Sequence, residues 1–96
     1  MDKIAEAIAE RRLLIFSYEG LPRIVVPAVY GYTQAGNLAL RAYQVGGHSH
    51  SGHQPSWRLF TRHKMLGLAL SEETFTEPPP RYRARDGSFQ FIRTRL

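Results

Sequence analysis

The chain is dominated by short runs in which apolar and polar residues alternate, and turn-forming residues separate these runs. The clearest run spans 38–44, where Leu40 and Ala42 share one side while Arg41 and Tyr43 share the other. A period of two is that of a β-strand. Because a chain of 96 residues can bury only one core of useful size, the pattern predicts a single, mainly β unit.

One helix precedes the predicted strands. Ile4 and Ile8 lie at helical spacing behind Asp2, which is a suitable N-cap. Pro27 cannot donate to a β-ladder, so it predicts an edge or a bulge in the second strand. Short sequential antiparallel strands usually curl to remove their edges, and the expected fold is an N-terminal helix followed by a five-stranded small barrel. The predicted strands are 13–18, 23–30, 38–44, 57–61 and 66–71.

The end of the chain differs from the rest. Three consecutive prolines at 78–80 end the regular fold, since neither a helix interior nor a ladder accepts them. We therefore predict two parts, a domain of residues 1–77 and a basic C-terminal arm of residues 78–96. The apolar residues of the arm follow helical spacing, which predicts a short amphipathic helix over 88–96. These residues are Phe89, Ile92 and Leu96.

Positive charge is concentrated in the centre and in the arm. The stretch from Gly20 to Ser71 contains no Asp or Glu, and the arm sets five arginines against one carboxylate, Asp86. With a net charge of +5, this distribution favours a partner with spaced negative charges, such as nucleic acid. The alternative explanation is that strands are generally poor in Asp and Glu. The five cationic residues of the central stretch are Arg23, Arg41, Arg58, Arg62 and Lys64.

Several classes of protein are disfavoured by what the sequence lacks. No apolar run approaches the length of a membrane span, and there is no cysteine for a disulfide or a thiolate site. The chain does not open with a secretory leader, so we expect a bacterial-type cytoplasmic protein. No carboxylate is placed by sequence to orient a histidine, and no nucleophile motif is present. These features predict a protein that is not an enzyme and has no cofactor.

Three histidines share one loop, at His48, His50 and His53. Three imidazoles could in principle hold zinc or nickel. The loop has no carboxylate or cysteine, however, and its glycines and serines give metal ligands no rigid support. We therefore predict a solvated loop and no metal site.

The basic and aromatic residues give a stronger signal. Arg41 shares a face with Tyr43 in one predicted strand, and Arg58 shares a face with Phe60 in another. If these strands pair, we expect the guanidinium groups to converge, with Tyr43 or Trp57 near enough to stack a base. A core position explains Trp57 equally well, and it explains Phe60 better.

The order of these residues resembles the WYL domain of bacterial transcription regulators, including the short, stand-alone members of that family. The similarity extends from about Ile4 to Phe75. It implies an SH3-like or Sm-like barrel that senses nucleic-acid fragments or other negatively charged ligands. The matching positions are Ile15-x-x-Tyr18, Arg23, Pro27, Leu40-Arg41-Ala42-Tyr43, Arg58-Leu59-Phe60 and Lys64-Met65.

The resemblance also implies which residues contact the ligand. It places Tyr18, Arg23, Arg41 and Arg58 at the ligand site, and Lys64 keeps a cation of the family pattern. The sequence departs from that pattern at the family signature Trp-Tyr-Leu and at Asp-Arg-Ile, which favours a weakened or altered ligand specificity. The corresponding residues here are Leu38-Ala39-Leu40 and His63-Lys64-Met65. Together with the stacking residues, the predicted ligand site is Tyr18, Arg23, Arg41, Tyr43, Trp57, Arg58 and Lys64.

The leading expectation is therefore a non-enzymatic module that binds single-stranded nucleic acid or a small anionic ligand. The sequence contains no helix-turn-helix, so regulation would act through a partner protein or through self-assembly. Two alternatives stay open. One is a protein-interaction or homo-oligomerisation module that docks through the arm at 78–96, and the other is a small-molecule sensor whose binding depends only weakly on salt.

Overall fold

The chain forms one helix and six strands within the residues that the computed structural model describes, 2–48 and 55–96. The mainly β class, the N-terminal helix and the five strands predicted between positions 13 and 71 are confirmed. In chain order the elements are α1 (Lys3–Glu10), β1 (Arg12–Tyr18), β2 (Leu21–Thr33), β3 (Leu38–Gly47), β4 (Ser56–Thr61), a 3₁₀ turn (Arg62–Lys64), β5 (Leu66–Thr74) and β6 (Phe89–Arg95).

The helix is held at its first turn by Asp2. The Asp2 carboxylate accepts a hydrogen bond from the backbone N–H of Ile4 at 2.9 Å, as expected of an N-cap. The same carboxylate accepts a second bond from the Tyr30 hydroxyl at 2.6 Å. Because Tyr30 belongs to β2, the cap also fixes α1 against the sheet. The buried face of α1 is formed by Ile4, Ala7 and Ile8.

The strands form one antiparallel sheet in the order β4-β3-β2-β1-β5, with β6 added on β2. In the described part of the chain the strands at the two ends of the sheet, β4 and β5, do not pair with each other. The closed barrel that the sequence predicted is therefore not confirmed. The sheet nevertheless curls. The Tyr18 hydroxyl in β1 accepts a hydrogen bond from the Thr61 N–H at 3.0 Å, although two strands separate β1 from β4 in the sheet order.

Pro27 lies where β2 changes neighbours. Residues 21–25 of β2 pair with β1, and residues 29–33 pair with β6 along the same edge. Pro27 falls between these two blocks, so its missing N–H leaves no ladder bond unmade on that edge. The register with β3 shifts between Pro27 and Val29, which confirms the predicted bulge.

The predicted helix over 88–96 is wrong, because this segment forms the strand β6. A helix of that length is marginal by itself, whereas the open edge of β2 satisfies the backbone groups of a strand. The division into residues 1–77 and 78–96 stays a prediction. Within the described residues, however, the segment 78–96 contributes a strand to the common sheet, and Phe89 is buried there.

Two buried clusters lie on opposite faces of the sheet. The larger one packs α1 against β1, β3 and β4, and it includes Leu40 and Phe60. Phe60 is 1% exposed, and its ring stands edge-on to those of Phe16 and Tyr18 with centroids 4.9 Å apart, so its core role is confirmed. The smaller cluster contains Ala39, whose side chain points away from that of Leu40 in β3, and it is covered by the C-terminal segment.

Candidate functional site

A cleft of about 270 Å³ opens beside β4, and we call it the arginine cleft. Five of the seven predicted ligand residues line it: Tyr18, Arg23, Arg41, Trp57 and Arg58. The remaining lining residues are Glu19, Leu59 and Phe60. Three arginines and one acidic residue therefore line one concavity.

The β1–β2 hairpin positions Tyr18 and Arg23. Glu19 and Gly20 have φ angles of 53° and 77°, so the hairpin closes through a two-residue turn with both central residues left-handed. This tight turn brings Arg23 back over the end of β1, where its Nη2 donates to the Tyr18 carbonyl at 3.1 Å. The guanidinium carbon of Arg23 lies 5.6 Å from the centre of the Tyr18 ring and 5.7 Å from that of Phe60.

Arg23 is a buried cation whose partners are neutral groups, two ring faces and one distant carboxylate. Its side chain is 3% exposed, and its Nη1 donates to the Gln44 Oε1 at 3.2 Å. Its Nε has no hydrogen-bond partner in the described part of the chain. The carboxylate of Glu19 approaches Nη2 only to 3.8 Å and is about half exposed, so water screens it.

Burial is the main reason that the pKa of Arg23 is lowered, and the charge of Arg58 lowers it further. Arginine still keeps its proton at neutral pH. The pair of like charges therefore persists inside the cleft, and an anion placed between them would relieve both the repulsion and the lost hydration of Arg23.

The expected convergence of Arg41 and Arg58 has a different geometry from the one predicted. Strands β3 and β4 do pair, but Arg41 faces Leu59 and Ala42 faces Arg58. Arg41 and Arg58 therefore lie on opposite faces of the sheet. Both residues nevertheless line the arginine cleft, which lies beside the edge strand β4.

Arg41 is held by the C-terminal segment. Its Nε donates to the Asp86 Oδ2 at 2.7 Å, and its Nη2 donates to the Ser88 hydroxyl at 2.8 Å. Burial alone would raise the pKa of Asp86, but the hydrogen bonds from Arg41 and Ser88 lower it below its usual value. A charged bond therefore joins β3 to a loop 45 residues further along the chain.

The other predicted ligand residues, Tyr43, Trp57 and Lys64, differ in whether they line the arginine cleft. Trp57 lines the arginine cleft, but it also packs against the smaller buried cluster, and its indole N–H donates to the Pro80 carbonyl at 2.8 Å. The ring of Tyr43 stands 5.2 Å from that of Trp57. Neither Tyr43 nor Lys64 is among the described residues that line the cleft, and Lys64 is exposed on the 3₁₀ turn.

A second cavity of about 480 Å³ lies between the C-terminal segment and the sheet face that carries Arg41 and Trp57, and we call it the C-terminal pocket. Its side walls are aromatic and cationic, and it shares Arg41 and Trp57 with the arginine cleft. Its lining residues are Val29, Arg41, Trp57, Arg81, Tyr82, Arg83, Asp86, Gly87 and Ser88.

Sequence reasoning missed two residues that organise this region. Gln44 is fully buried and binds Arg23, and a polar residue on the same strand face as Leu40 and Ala42 was the available signal. Asp86 is the anchor for Arg41, and its signal was that it is the lone carboxylate of the arginine-rich segment. Neither partner could be named from sequence spacing.

The described residues hold neither a candidate metal cluster nor a membrane-spanning helix. No group of three or more His, Cys, Asp or Glu residues is arranged to hold a metal within 2–48 and 55–96. His50 and His53 lie outside the described residues, while His48 is exposed and its backbone N–H donates to the Pro22 carbonyl. Among the described helices, none is long and apolar enough to span a bilayer.

No protein-family model, no curated protein and no solved structure matches this chain. The resemblance to the WYL domain therefore depends on the sequence motifs alone.

Proposed function

We propose that this chain is a non-enzymatic, WYL-type ligand-sensing module that binds single-stranded nucleic acid, or another small polyanion, in the arginine cleft. The observation that carries the proposal is the buried Arg23 guanidinium beside Arg58, with Trp57 at the same concavity. The proposal includes the finer fold assignment, in which the curled sheet corresponds to an SH3-like or Sm-like barrel.

The Arg23 guanidinium has lost most of its hydration, because its side chain is buried. A charged side chain removed from water is stabilised only when partners replace its hydration, and two neutral acceptors do this incompletely. A phosphate or carboxylate supplies the missing charge, and the planar guanidinium of arginine binds such groups through two parallel hydrogen bonds. An anion is therefore the ligand that best completes the cleft.

The aromatic residues favour a nucleotide over a bare anion. Trp57 lies between the arginine cleft and the C-terminal pocket, where a base could stack on its indole ring. Stacking tolerates any base, because every base has a π face. Binding by this site would therefore depend on backbone charge and single-strandedness more than on sequence.

The arm-docking alternative loses the residues that motivated it. Phe89, Ile92 and Leu96 pack within the chain's own fold, against the smaller buried cluster. They are not available to a partner while β6 stays in the sheet. A small-molecule sensor differs from the proposed function in its salt response, which the following experiment measures.

Fluorescence anisotropy with a labelled single-stranded oligonucleotide tests the proposal. Because Asp86 already neutralises Arg41, the expected phosphate contacts are those of Arg23 and Arg58, which give a slope of log K against log salt of about −1.4, a loss of roughly 7-fold between 50 and 200 mM salt. Arg58→Ala should weaken binding and bring the slope to about −0.7. Lys64→Ala removes the same charge outside the cleft and serves as the matched control.

Two results would refute the proposal. One is the absence of any binding at low salt. The other is equal affinity of the Arg58→Ala and Lys64→Ala variants, provided that both melt as the unmodified protein does. Tight binding with a flat salt response would instead favour a small-molecule sensor.

A further inference from the structure

We propose that the C-terminal pocket is a second phosphate subsite, in which Arg81 and Arg83 contact the ligand. The inference rests on the proposed function, because it extends the same surface. It narrows the ligand class to a chain with at least two phosphates joined through a nucleoside, which is a short single-stranded oligonucleotide rather than a mononucleotide with one phosphate or an inorganic anion.

Arginines line both cavities. Arg23 and Arg58 line the arginine cleft, and Arg81 and Arg83 line the C-terminal pocket. The side chains of Arg81 and Arg83 make no hydrogen bond or ion pair with any residue in the described ranges 2–48 and 55–96. Two pairs of arginines therefore line two adjoining cavities, and the side chains of Arg81 and Arg83 have their hydrogen-bond donors available.

The two cavities share two lining residues. Arg41 and Trp57 line both cavities, so the cavities adjoin at these two side chains. Asp86 already neutralises Arg41 at this junction, through a bond of 2.7 Å. The junction therefore favours a planar, uncharged group while the remaining arginines of each cavity favour anions, which suits a nucleoside whose base stacks at the junction and whose two flanking phosphates lie in the two cavities.

The segment that carries Arg81 and Arg83 is fixed by hydrogen bonds on both sides. The Pro80 carbonyl accepts from Trp57 at 2.8 Å, and the Tyr82 hydroxyl donates to the Leu96 carbonyl at 2.9 Å. Beyond Arg83, Asp86 is bound to Arg41. A segment that is already ordered spends less conformational entropy on binding than a flexible tail.

The test is a ligand-length series. A phosphorylated mononucleotide and a tetranucleotide are titrated by calorimetry or by competition in the anisotropy assay. The variants are Arg81→Ala/Arg83→Ala and the matched control Arg85→Ala, which removes an exposed arginine of the same segment that lines neither cavity. Folding of each variant is checked by its thermal melt.

For the unmodified protein we expect the tetranucleotide to bind at least about tenfold more tightly than the mononucleotide, because a linked second contact adds to the first. The double variant should lose most of this gain, keep its mononucleotide affinity, and show a salt slope smaller by about 1.4. Arg85→Ala should keep the full length dependence.

The failures are distinguishable. If the double variant keeps the length dependence that Arg85→Ala shows, the second subsite is wrong while the proposed function stands. If it weakens the mononucleotide and the tetranucleotide equally, the two arginines act as a diffuse field and the subsite is again refuted. If the unmodified protein binds neither ligand, the proposed function and the subsite both fail.

Discussion

Replacing Gly31 with alanine is expected to detach β6 from the sheet. Gly31 lies in β2 opposite Ile92 of β6. A Cβ at this position would lie 2.1 Å from the carbonyl oxygen of Phe91 and 2.8 Å from the Cα of Ile92. Both are backbone atoms, so no side-chain rotation can relieve the contact, and β6 itself has to move.

The expected loss of stability follows from what β6 buries. Overpacking of this kind typically costs about 1–3 kcal/mol, and re-exposing the side chain of Phe89, now 7% exposed, costs about 1.5–3 kcal/mol. Since detachment relieves the clash, the two costs are not fully additive, and we expect about 2–4 kcal/mol. For a chain of this size that corresponds to a fall in melting temperature of roughly 10–25 °C.

Urea unfolding followed by tryptophan fluorescence measures this directly. Trp57 is the one tryptophan of the chain, and it packs under the segment that would be released. Gly87→Ala is the matched control, because a Cβ at Gly87 meets nothing within 4 Å and its φ is not left-handed. We expect Gly87→Ala to change the unfolding free energy by less than about 0.5 kcal/mol. Equal unfolding midpoints for Gly31→Ala and Gly87→Ala would refute the reasoning and favour residues 78–96 as an independent arm.

Two further predictions concern carboxylates near the site. Because burial is outweighed by the bonds from Arg41, the pKa of Asp86 is lowered in the folded state, so its contribution to stability is present above about pH 4 and is lost as the pH falls through its folded pKa. Asp86→Asn should therefore destabilise the protein at pH 7 by about 1.5–3 kcal/mol and flatten the acid limb of its unfolding free energy; an unchanged acid limb in urea titrations would count against the pairing. Glu19→Asn should stabilise the hairpin by about 0.5–1 kcal/mol, since asparagine tolerates a φ of 53°, and it should tighten anion binding at low salt by removing the carboxylate of the cleft. Weaker binding of this variant in the anisotropy assay would mean that Glu19 positions Arg23 rather than opposing the ligand.

The strand pattern shows how far sequence reasoning extends. Alternation in 38–44 predicts β3 and the two faces of its side chains, because alternation is a local property of extended backbone. The same reasoning fails at 88–96, where apolar residues at helical spacing form β6. That outcome depended on an unpaired edge of β2 far away in the sequence, and no local pattern reports such an edge.

Like the strands, the candidate site was predictable from sequence in one respect and not in another. Its composition was readable, because Arg23, Arg58 and Trp57 stand out in a stretch without carboxylates. Their roles as ligand contacts stay a prediction. The relation between Arg41 and Arg58 was not readable, since whether two residues on paired strands share a face depends on a register that one residue of slippage reverses.

The sequence by itself therefore determined a mainly β chain with one capped helix, and the residues from which an anion site could be built. Only the tertiary structure decided that Arg23 is buried, that Asp86 binds Arg41, and that a second cavity lies beneath the C-terminal segment. The physical reason is that alternation and capping are properties of neighbouring residues, whereas burial and charge pairing depend on which distant strands meet and in what register.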